Sequence, residues 1–287
     1  MVILENDSLK ASVHPMGGEL QSLYRKDLEL EYLWNGNPEF WPRHSPLLFP
    51  IVGGLIEDSY LYNEKKYTLA KHGFARDTQF EIENSSKESA SFVLRSNDDT
   101  LKSYPFSFVL KISYKLEANR ITVTYEVENP SVQTMYFSIG THPAFNVPLI
   151  EGTSYNDYFL EFEQPEDSLR HTLDGNILNS TVPYLQNQSR LHLEESLFYE
   201  DAIIFKDLRS SSISIKTDKS VHGLKFNFSG FPYMGIWAAK DAPFVCIEPW
   251  YGIPDSENHN QKIEEKEGII ALTAGQRWSK SWNLECF

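Results

Sequence analysis

The chain has 287 residues, of which 41% are hydrophobic and 23% are charged, and its formal net charge is −14. This composition predicts a globular protein with enough apolar residues for a sizeable core. The acidic surface repels phosphate backbones and anionic lipid, so we expect neither nucleic acid nor a membrane as a partner, whereas small neutral ligands are compatible with it.

The amino-terminal stretch MVILENDSLKASV shows no basic region followed by an apolar segment, as a secretion signal would. No window of the sequence approaches the roughly 20 apolar residues that a spanning helix needs. We therefore expect a cytoplasmic protein. The two cysteines, Cys246 and Cys286, lack the paired spacing of a zinc ribbon or a redox dithiol, and we interpret both as small buried hydrophobic residues.

Apolar and polar residues alternate with a period of two along much of the chain, which predicts β-strands. In chain order, hairpins with a polar turn are predicted in SYLYNEKKYTL, FEIENSSKESASFVLRS, FSFVLKISYKLEANRITVTYEVENP and SSISIKTDKSVHGLKFNFS. Single strands are predicted in MYFSIG, DYFLEFE, DAIIF, YMGIWAA, FVCIEPW and WSKSWNLECF.

Helical candidates are short, at residues 37–41, 98–105 and 258–268, and none could form a helical layer. No linker or change of composition marks a domain boundary, so we predict a single domain over residues 1–287. So many strands in one domain must pack sheet against sheet, which predicts an all-β fold with a large antiparallel β-sandwich and few short helices. A propeller is the alternative, but the turn spacing is irregular and no Trp-Asp or Gly-His phrase recurs.

Three short phrases place ionisable groups among glycine, proline and aromatic residues: KHGFARD (71–77), GTHPAFN (140–146) and CIEPWYGIPD (246–255). Taken alone, the first is compatible with a structural loop histidine beside a surface ion pair. In the second, His142 follows an apolar strand and precedes Pro143, which restricts the backbone and orients the ring. A structural histidine that bonds a neighbouring carbonyl is the alternative interpretation.

The third phrase carries the strongest signal, because Glu248 directly follows the buried strand residues Val245 to Ile247 and precedes a proline. A buried carboxylate without partners is costly, so Glu248 needs either a salt bridge or a chemical role. The adjacent aromatic residues Trp250 and Tyr251 suit a pyranose, which offers an apolar C–H face and a rim of hydroxyls.

Together with LLFPIVGG (47–54), and in this order along the chain, the three phrases resemble the aldose 1-epimerase (galactose mutarotase-like) family, in particular its LacX-like branch. The resemblance covers essentially the whole chain. It implies a β-supersandwich with a shallow cleft on a concave sheet. It also implies an isomerase that interconverts the α and β anomers of a free sugar by opening and closing the ring, without a cofactor or a metal.

Carried over by motif, the resemblance implies Glu248 as the general base, His142 as the general acid and His72 as a second imidazole that bonds the sugar. Asp201, in a poorly matched motif, would bind sugar hydroxyls, and Trp250 and Phe145 complete the predicted substrate contacts. Ring opening needs one proton acceptor and one donor on opposite sides of the carbon–oxygen bond, and a carboxylate with an imidazolium satisfies this need.

The chain departs from its relatives at Gly54, where they commonly carry an arginine that contacts the substrate. Arg76 is predicted to supply the guanidinium instead, because arginine forms directional, forked hydrogen bonds with oxygen groups.

Three other functions stay open on the sequence. A sugar-phosphate (hexose-6-phosphate) epimerase would need a cationic pocket, and no basic cluster stands out near the motifs. A glycoside hydrolase would pair Glu248 with Asp255 or Asp201. A carbohydrate-binding protein that has lost activity is the third, and Gly54 is the best argument for it.

Overall fold

Antiparallel β-strands make up most of the computed structural model, which describes residues 1–287, and the predicted all-β class is confirmed. In chain order the strands are β1 (Val2–Glu5), β2 (Leu9–His14), β3 (Glu19–Arg25), β4 (Leu30–Glu31), β5 (Leu47–Leu48), β6 (Ser59–Tyr62), β7 (Lys65–Thr68), β8 (Glu81–Ser85), β9 (Ser89–Arg95), β10 (Val109–Glu117), β11 (Arg120–Glu128), β12 (Met135–Phe137), β13 (Ile139–Thr141), β14 (Ala144–Asn146), β15 (Tyr158–Asp174), β16 (Ile177–His192), β17 (Ile203–Phe205), β18 (Ser212–Thr217), β19 (Ser220–Asn227), β20 (Tyr233–Trp237), β21 (Phe244–Tyr251), β22 (Ile270–Leu272) and β23 (Arg277–Cys286).

One sheet of 15 strands dominates the fold and collects the strands that carry the motifs at one edge. Its order is β5-β13-β21-β20-β17-β15-β18-β19-β23-β11-β10-β9-β8, with β14 added on β21 and β16 added on β15. Three smaller sheets contain β1 to β4, β6 with β7, and β12 with β22. This continuous order contains no repeated blades, so the propeller alternative is wrong.

The four predicted hairpins are present, and the pair β10 and β11 shows how their alternation builds the core. Ile112 lies opposite Tyr125, and Tyr114 lies opposite Val123. All four side chains are buried, while Lys115 on the other face is exposed. Because side chains alternate between the two faces of a strand, this sequence buries one face and leaves the other in water. The main core contains 66 buried residues, drawn from Val2 to Cys286.

Helices are few and short. The only α-helix, α1 (Asp98–Ser103), confirms the prediction at 98–105, and Asn97 caps it by accepting bonds from two backbone N–H groups. The helical candidates at 37–41 and 258–268 form no α-helix: the first makes a single turn before a proline, and the second contains only a 3₁₀ turn. No helix has the length and apolar character to cross a membrane. The 3₁₀ turns are Ile56–Asp58, Ala75–Asp77, Tyr155–Asp157, Glu195–Phe198 and Ile263–Glu265.

The longest hairpin joins β15 to β16, and the sequence analysis predicts only the first part of β15. Tyr158 to Phe162 at the base of β15 pair with β18 on one side, and β15 pairs with β16 on the other side from Phe159 as far as the turn after Asp174. Most side chains of β16 are exposed, and the ladder shifts register at several points. A mostly polar strand with bulges lacks the regular alternation by which strands are recognised, which explains why β16 was missed.

A buried ion pair ties together the loops beside the motif-bearing edge. Lys266 Nζ donates to Asp255 Oδ1 at 2.6 Å, and both side chains are only 1% exposed. The other oxygen of Asp255 accepts from the Ile56 backbone N–H, and the Asp255 N–H donates to the Gly54 carbonyl. The pair therefore links the segment after Glu248 to the loop that contains Gly54.

We expect Lys266→Met to lower the free energy of unfolding by about 3–5 kcal/mol, because it leaves the Asp255 carboxylate buried without its cation. Urea denaturation measures this loss. The matched control is Lys262→Met, which removes an ion pair to Glu265 on the same segment in which both side chains are 51% exposed. That pair should contribute at most about 1 kcal/mol. Equal losses in the two variants would contradict the structural role of the buried pair.

Candidate functional site

The register of two short strands on β21 places His142 opposite Glu248. Gly140 of β13 lies opposite Trp250, and Ala144 of β14 lies opposite Cys246. His142 occupies the break between β13 and β14, so the same antiparallel register aligns it with Glu248. The two side chains meet there, with His142 Nε2 3.4 Å from Glu248 Oε2. The predicted position of His142 at a strand exit is therefore explained by the pairing of β21.

The His142 ring is fixed by aromatic neighbours. Trp41 stacks on it at a centroid distance of 4.8 Å and an interplanar angle of 27°. Trp237 approaches its edge, with centroids 5.5 Å apart. Because the ring is packed on two sides, its orientation toward Glu248 is defined before any ligand binds.

Trp250 lies against two strands that carry glycine where a side chain would collide with its indole. A Cβ at Gly140 would lie 2.6 Å from Trp250 Cδ1, and one at Gly235 would lie 2.4 Å from Trp250 Cζ2. In the sheet, Gly140 lies opposite Trp250 and Gly235 lies opposite Glu248. The two glycines thus make room for the aromatic floor of the site.

His72 adopts a left-handed backbone conformation, with φ of 70°, that is unusual for a residue with a side chain. Its backbone N–H donates to the Gly53 carbonyl, and the Gly53 N–H donates back to His72 Nδ1 at 3.1 Å. Because Nδ1 is the acceptor, the neutral ring carries its proton on Nε2. Its centroid is 5.9 Å from that of His142. Local strain of this kind persists where the surroundings hold a side chain in a required direction.

A cavity of about 590 Å³ opens over this group and has the size of a small-molecule site. It is lined by six of the seven residues that the sequence analysis proposed for the site: His72, Arg76, His142, Asp201, Glu248 and Trp250. The structure therefore brings together the side chains of three phrases that are far apart in the sequence.

The prediction for Phe145 is corrected by the structure. Phe145 lies opposite Val245 in the sheet, whereas Glu248 is three residues further along β21 and on its other face. The Phe145 ring is 1% exposed and packs against Phe226 in the main core, with centroids 6.0 Å apart. It does not line the cavity. The phrase GTHPAFN carries one side chain into the site and another into the core.

The cavity also contains residues that the sequence analysis did not propose, among them Trp41, Lys71, Asn176, Tyr199 and Trp237. Lys71 directly precedes His72 in KHGFARD, so the motif contained a signal for it. Asn176 belongs to the turn of the unrecognised hairpin, and no local pattern marked it.

Arg76 and Asp201 occupy opposite chemical roles in the lining. Arg76 Nη2 donates to the Lys71 carbonyl at 2.8 Å, and its buried Nε lies 3.6 Å from Asp77 Oδ2, an ion pair without a hydrogen bond. Asp201 Oδ1 accepts from the Ala202 N–H at 2.7 Å, which leaves its second oxygen available. The cavity thus offers unused donors and acceptors for a polyhydroxylated ligand.

Burial shifts the pKa values of the central groups in the direction that removes charge. Desolvation raises the pKa of Glu248 well above its usual range, and the nearby Lys71 charge partly offsets this. Desolvation also lowers the pKa of His142 to about 3 and that of His72 well below its usual value. Desolvation thus favours the uncharged forms of both groups, with the proton on the Glu248 carboxyl group rather than on the His142 imidazole.

One donor set in the site has a composition that suits a metal ion. His142, Cys246 and Glu248 each offer a ligand atom within 4.8 Å of the others, and imidazole, thiolate and carboxylate are the ligands that zinc accepts. Two of the three side chains are His142 and Glu248, so a metal ion bound here would occupy the atoms by which these two side chains face each other.

Comparisons with known proteins show the family of this chain and the proteins that share its fold. The chain matches the family described as aldose 1-epimerase over residues 1–272. It is 35% identical to Protein LacX (plasmid) of Lactococcus lactis subsp. lactis, with 98% of this chain and 97% of that protein covered. A galactose mutarotase related enzyme from Lactobacillus acidophilus is 35% identical with a TM-score of 0.95, covering 99% of this chain and 96% of its own. A galactose mutarotase-like protein from Lactobacillus casei is 32% identical with a TM-score of 0.94, covering 100% of both chains.

We expect Glu248→Gln to stabilise the fold, and increasingly so as the pH rises. The carboxyl group ionises near pH 4.3 in the unfolded chain but at higher pH in the folded chain. Above about pH 4.3, ionisation therefore stabilises the unfolded state more than the folded state and lowers the free energy of unfolding. Glutamine keeps the shape without this cost. Urea denaturation should show the stability difference widening by about 1 kcal/mol or more between about pH 5 and pH 8.

The control for this measurement is Glu264→Gln, which changes an exposed carboxylate without an ion pair. If Glu248→Gln and the wild type keep a constant stability difference across this pH range, the raised pKa of Glu248 is wrong.

Proposed function

Because this chain belongs to the aldose 1-epimerase family, we propose that it interconverts the α and β anomers of a free hexose by acid–base opening and closing of the sugar ring. The observation that carries the proposal is the 3.4 Å approach of His142 to Glu248 inside the aromatic-lined cavity. A carboxyl group and an imidazole at this distance can serve both oxygens of one anomeric centre.

In the proposed reaction Glu248 takes the proton from the anomeric hydroxyl while His142 gives a proton to the ring oxygen. The bond between the anomeric carbon and the ring oxygen breaks, and the anomeric C–O becomes a carbonyl. After rotation about the adjacent carbon–carbon bond, the hydroxyl that formed from the ring oxygen attacks the other face of the aldehyde. The two protons return to their starting groups, so neither residue needs regeneration from outside.

This reaction needs one transferable proton in the pair. Desolvation favours the proton on Glu248, whereas the proposed first step needs it on His142. Sugar hydroxyls can donate hydrogen bonds to the carboxylate, and the Lys71 charge lowers the pKa of Glu248. Both effects favour transfer of the proton to His142 when the substrate binds. The pair titrates as a unit, so its total of one proton matters more than its resting position.

The remaining lining residues have roles that follow from their chemistry. The indole of Trp250 offers an apolar surface for the C–H face of a pyranose. The His72 Nε2–H can donate to a sugar oxygen, and the Asp201 carboxylate can accept from sugar hydroxyls. Arg76 lines the same cavity, and we propose that its guanidinium contacts the substrate.

Polarimetry of freshly dissolved glucose and galactose tests the proposal. We expect the wild type to accelerate the change of optical rotation and Glu248→Gln to lower kcat by about 10²-fold or more, since the amide cannot accept the proton. Glu264→Gln, the exposed control, should retain full activity. No acceleration by the wild type would favour a carbohydrate-binding protein without activity.

The glycoside hydrolase alternative loses one of its two candidate carboxylates. Asp255 is buried in its ion pair with Lys266 and does not line the cavity. Asp201 does line the cavity, so release of the leaving group from an aryl glycoside remains the direct test of hydrolysis.

A sugar phosphate is a second candidate substrate, because two cationic side chains line the cavity beside the carboxylates of Glu200 and Asp201. Lys71 lines the cavity without an ion pair, and Arg76 lies beside it. Both come from KHGFARD, and their positive charges lower the pKa values of His72 and His142. Lysine and arginine are the usual ligands of phosphate groups.

We expect Lys71→Met to separate the two substrate classes. If the natural substrate is phosphorylated, kcat/KM should be higher for hexose 6-phosphates than for free hexoses. Lys71→Met should then lower this ratio by about 10-fold or more, because a hydrogen bond to a charged group is lost. The exposed Lys65→Met serves as the control. An unchanged ratio in Lys71→Met would rule out phosphate binding by Lys71.

A further inference from the structure

The turn between β15 and β16 reaches the same cavity as Glu248. Leu173, Gly175 and Asn176, all at this turn, line the cavity together with the proton-transfer pair. The base of the hairpin lies elsewhere in the sheet, where Tyr158 to Phe162 pair with β18. The length of the hairpin therefore brings its turn to the substrate site.

Backbone hydrogen bonds fix the turn in this position. The Leu178 N–H donates to the Asp255 carbonyl at 2.8 Å, and the Glu257 N–H donates to the Leu178 carbonyl at 3.0 Å. Leu178 is buried in a cluster of seven apolar residues that also contains Trp250. The turn is thus attached to the segment that directly follows the Glu248 motif.

Gly54 shows how closely the turn approaches the opposite loop. A Cβ at residue 54 would lie 2.6 Å from Asn176 Cβ and 2.8 Å from the Asn176 carbonyl oxygen. Gly54 does not have a positive φ, unlike its neighbour Gly53 at 72°. The backbone at residue 54 would therefore accept a side chain, and it is Asn176 that excludes one.

The Asn176 side chain has unused hydrogen-bonding capacity. It is exposed, lines the cavity and makes no hydrogen bond within the protein. Its amide offers two donors and one acceptor group. Asn179, three residues along the same hairpin, instead accepts a bond from Thr172 Oγ1 at 2.7 Å.

We propose that Asn176 is a substrate-binding residue whose side-chain amide bonds a sugar hydroxyl from the space that a side chain at residue 54 would fill. The assignment rests on the proposed function for its substrate class. A hydroxyl both donates and accepts, and a primary amide matches both needs, whereas a guanidinium only donates. The site therefore selects a hydroxyl at the sugar position that faces the turn.

The test measures Asn176→Ala by polarimetry and by isothermal titration with glucose and galactose. We expect KM and Kd to rise by about 2- to 12-fold, the effect of losing one neutral hydrogen bond, with kcat within about twofold of the wild type. A merely structural effect on the hairpin would not separate KM from kcat in this way. Asn179→Ala is the matched control and should leave KM and Kd unchanged.

Two further variants test the link with Gly54. Gly54→Ala should displace the turn and weaken sugar binding to a similar extent as Asn176→Ala. In the double variant Gly54→Ala, Asn176→Gly the contact with the Asn176 Cβ is removed but the contact with the backbone carbonyl of residue 176 remains, so sugar binding should stay weaker than in Asn176→Gly alone. Urea denaturation of each variant establishes that it is folded.

If the wild type binds sugar and accelerates mutarotation while Asn176→Ala has unchanged KM and Kd, this inference is wrong and the proposed function stands. If the wild type binds sugar without accelerating mutarotation, the proposed function is wrong, and the Kd values still decide the role of Asn176. A wild type that binds neither sugar would overturn both.

Discussion

The pairing of β13 and β14 with β21 is the constraint on which the site depends. Two three-residue strands hold one long strand at both ends, and His142, in the two-residue break between them, lies opposite Glu248. A shift of one residue would place every side chain of β21 on the other face. The hydrogen bonds between these strands stabilise this edge of the sheet and also determine how His142 and Glu248 face each other.

Several features of this edge reduce the stability of the fold and are understandable only as parts of a site. Glu248 is buried without a permanent cation, His72 has a left-handed backbone, and desolvation lowers the pKa values of both histidines. Nearby, the buried pair of Lys266 and Asp255 holds the adjoining loops in place. The protein thus combines rigid, fully paired supports with a centre whose polar groups are left for a ligand.

Sequence reasoning recovered the parts of the fold that follow from short-range patterns. Alternation located the hairpin of β10 and β11. The position of a carboxylate directly after a buried strand predicted Glu248 as a candidate site residue. Sequence patterns did not predict features that depend on contacts between residues far apart in the sequence. The face on which Phe145 lies depends on its register with Val245, and the presence of Lys71 and Arg76 in the cavity lining depends on the fold of their loop. The polar strand β16 had no apolar period, so the turn that reaches the cavity was not visible in the sequence.

The two glycines that accommodate the Trp250 indole have a consequence for attempts to redesign the substrate range. Any larger residue at position 140 or 235 would push the Trp250 ring toward the ligand. Substitutions at these two glycines can therefore only reduce the volume of the cavity. A broader range of bound sugars must instead come from changes in the turn between β15 and β16, where Asn176 is exposed to solvent. A library of variants confined to that turn would sample new sugar shapes while the packed layer beneath keeps its form.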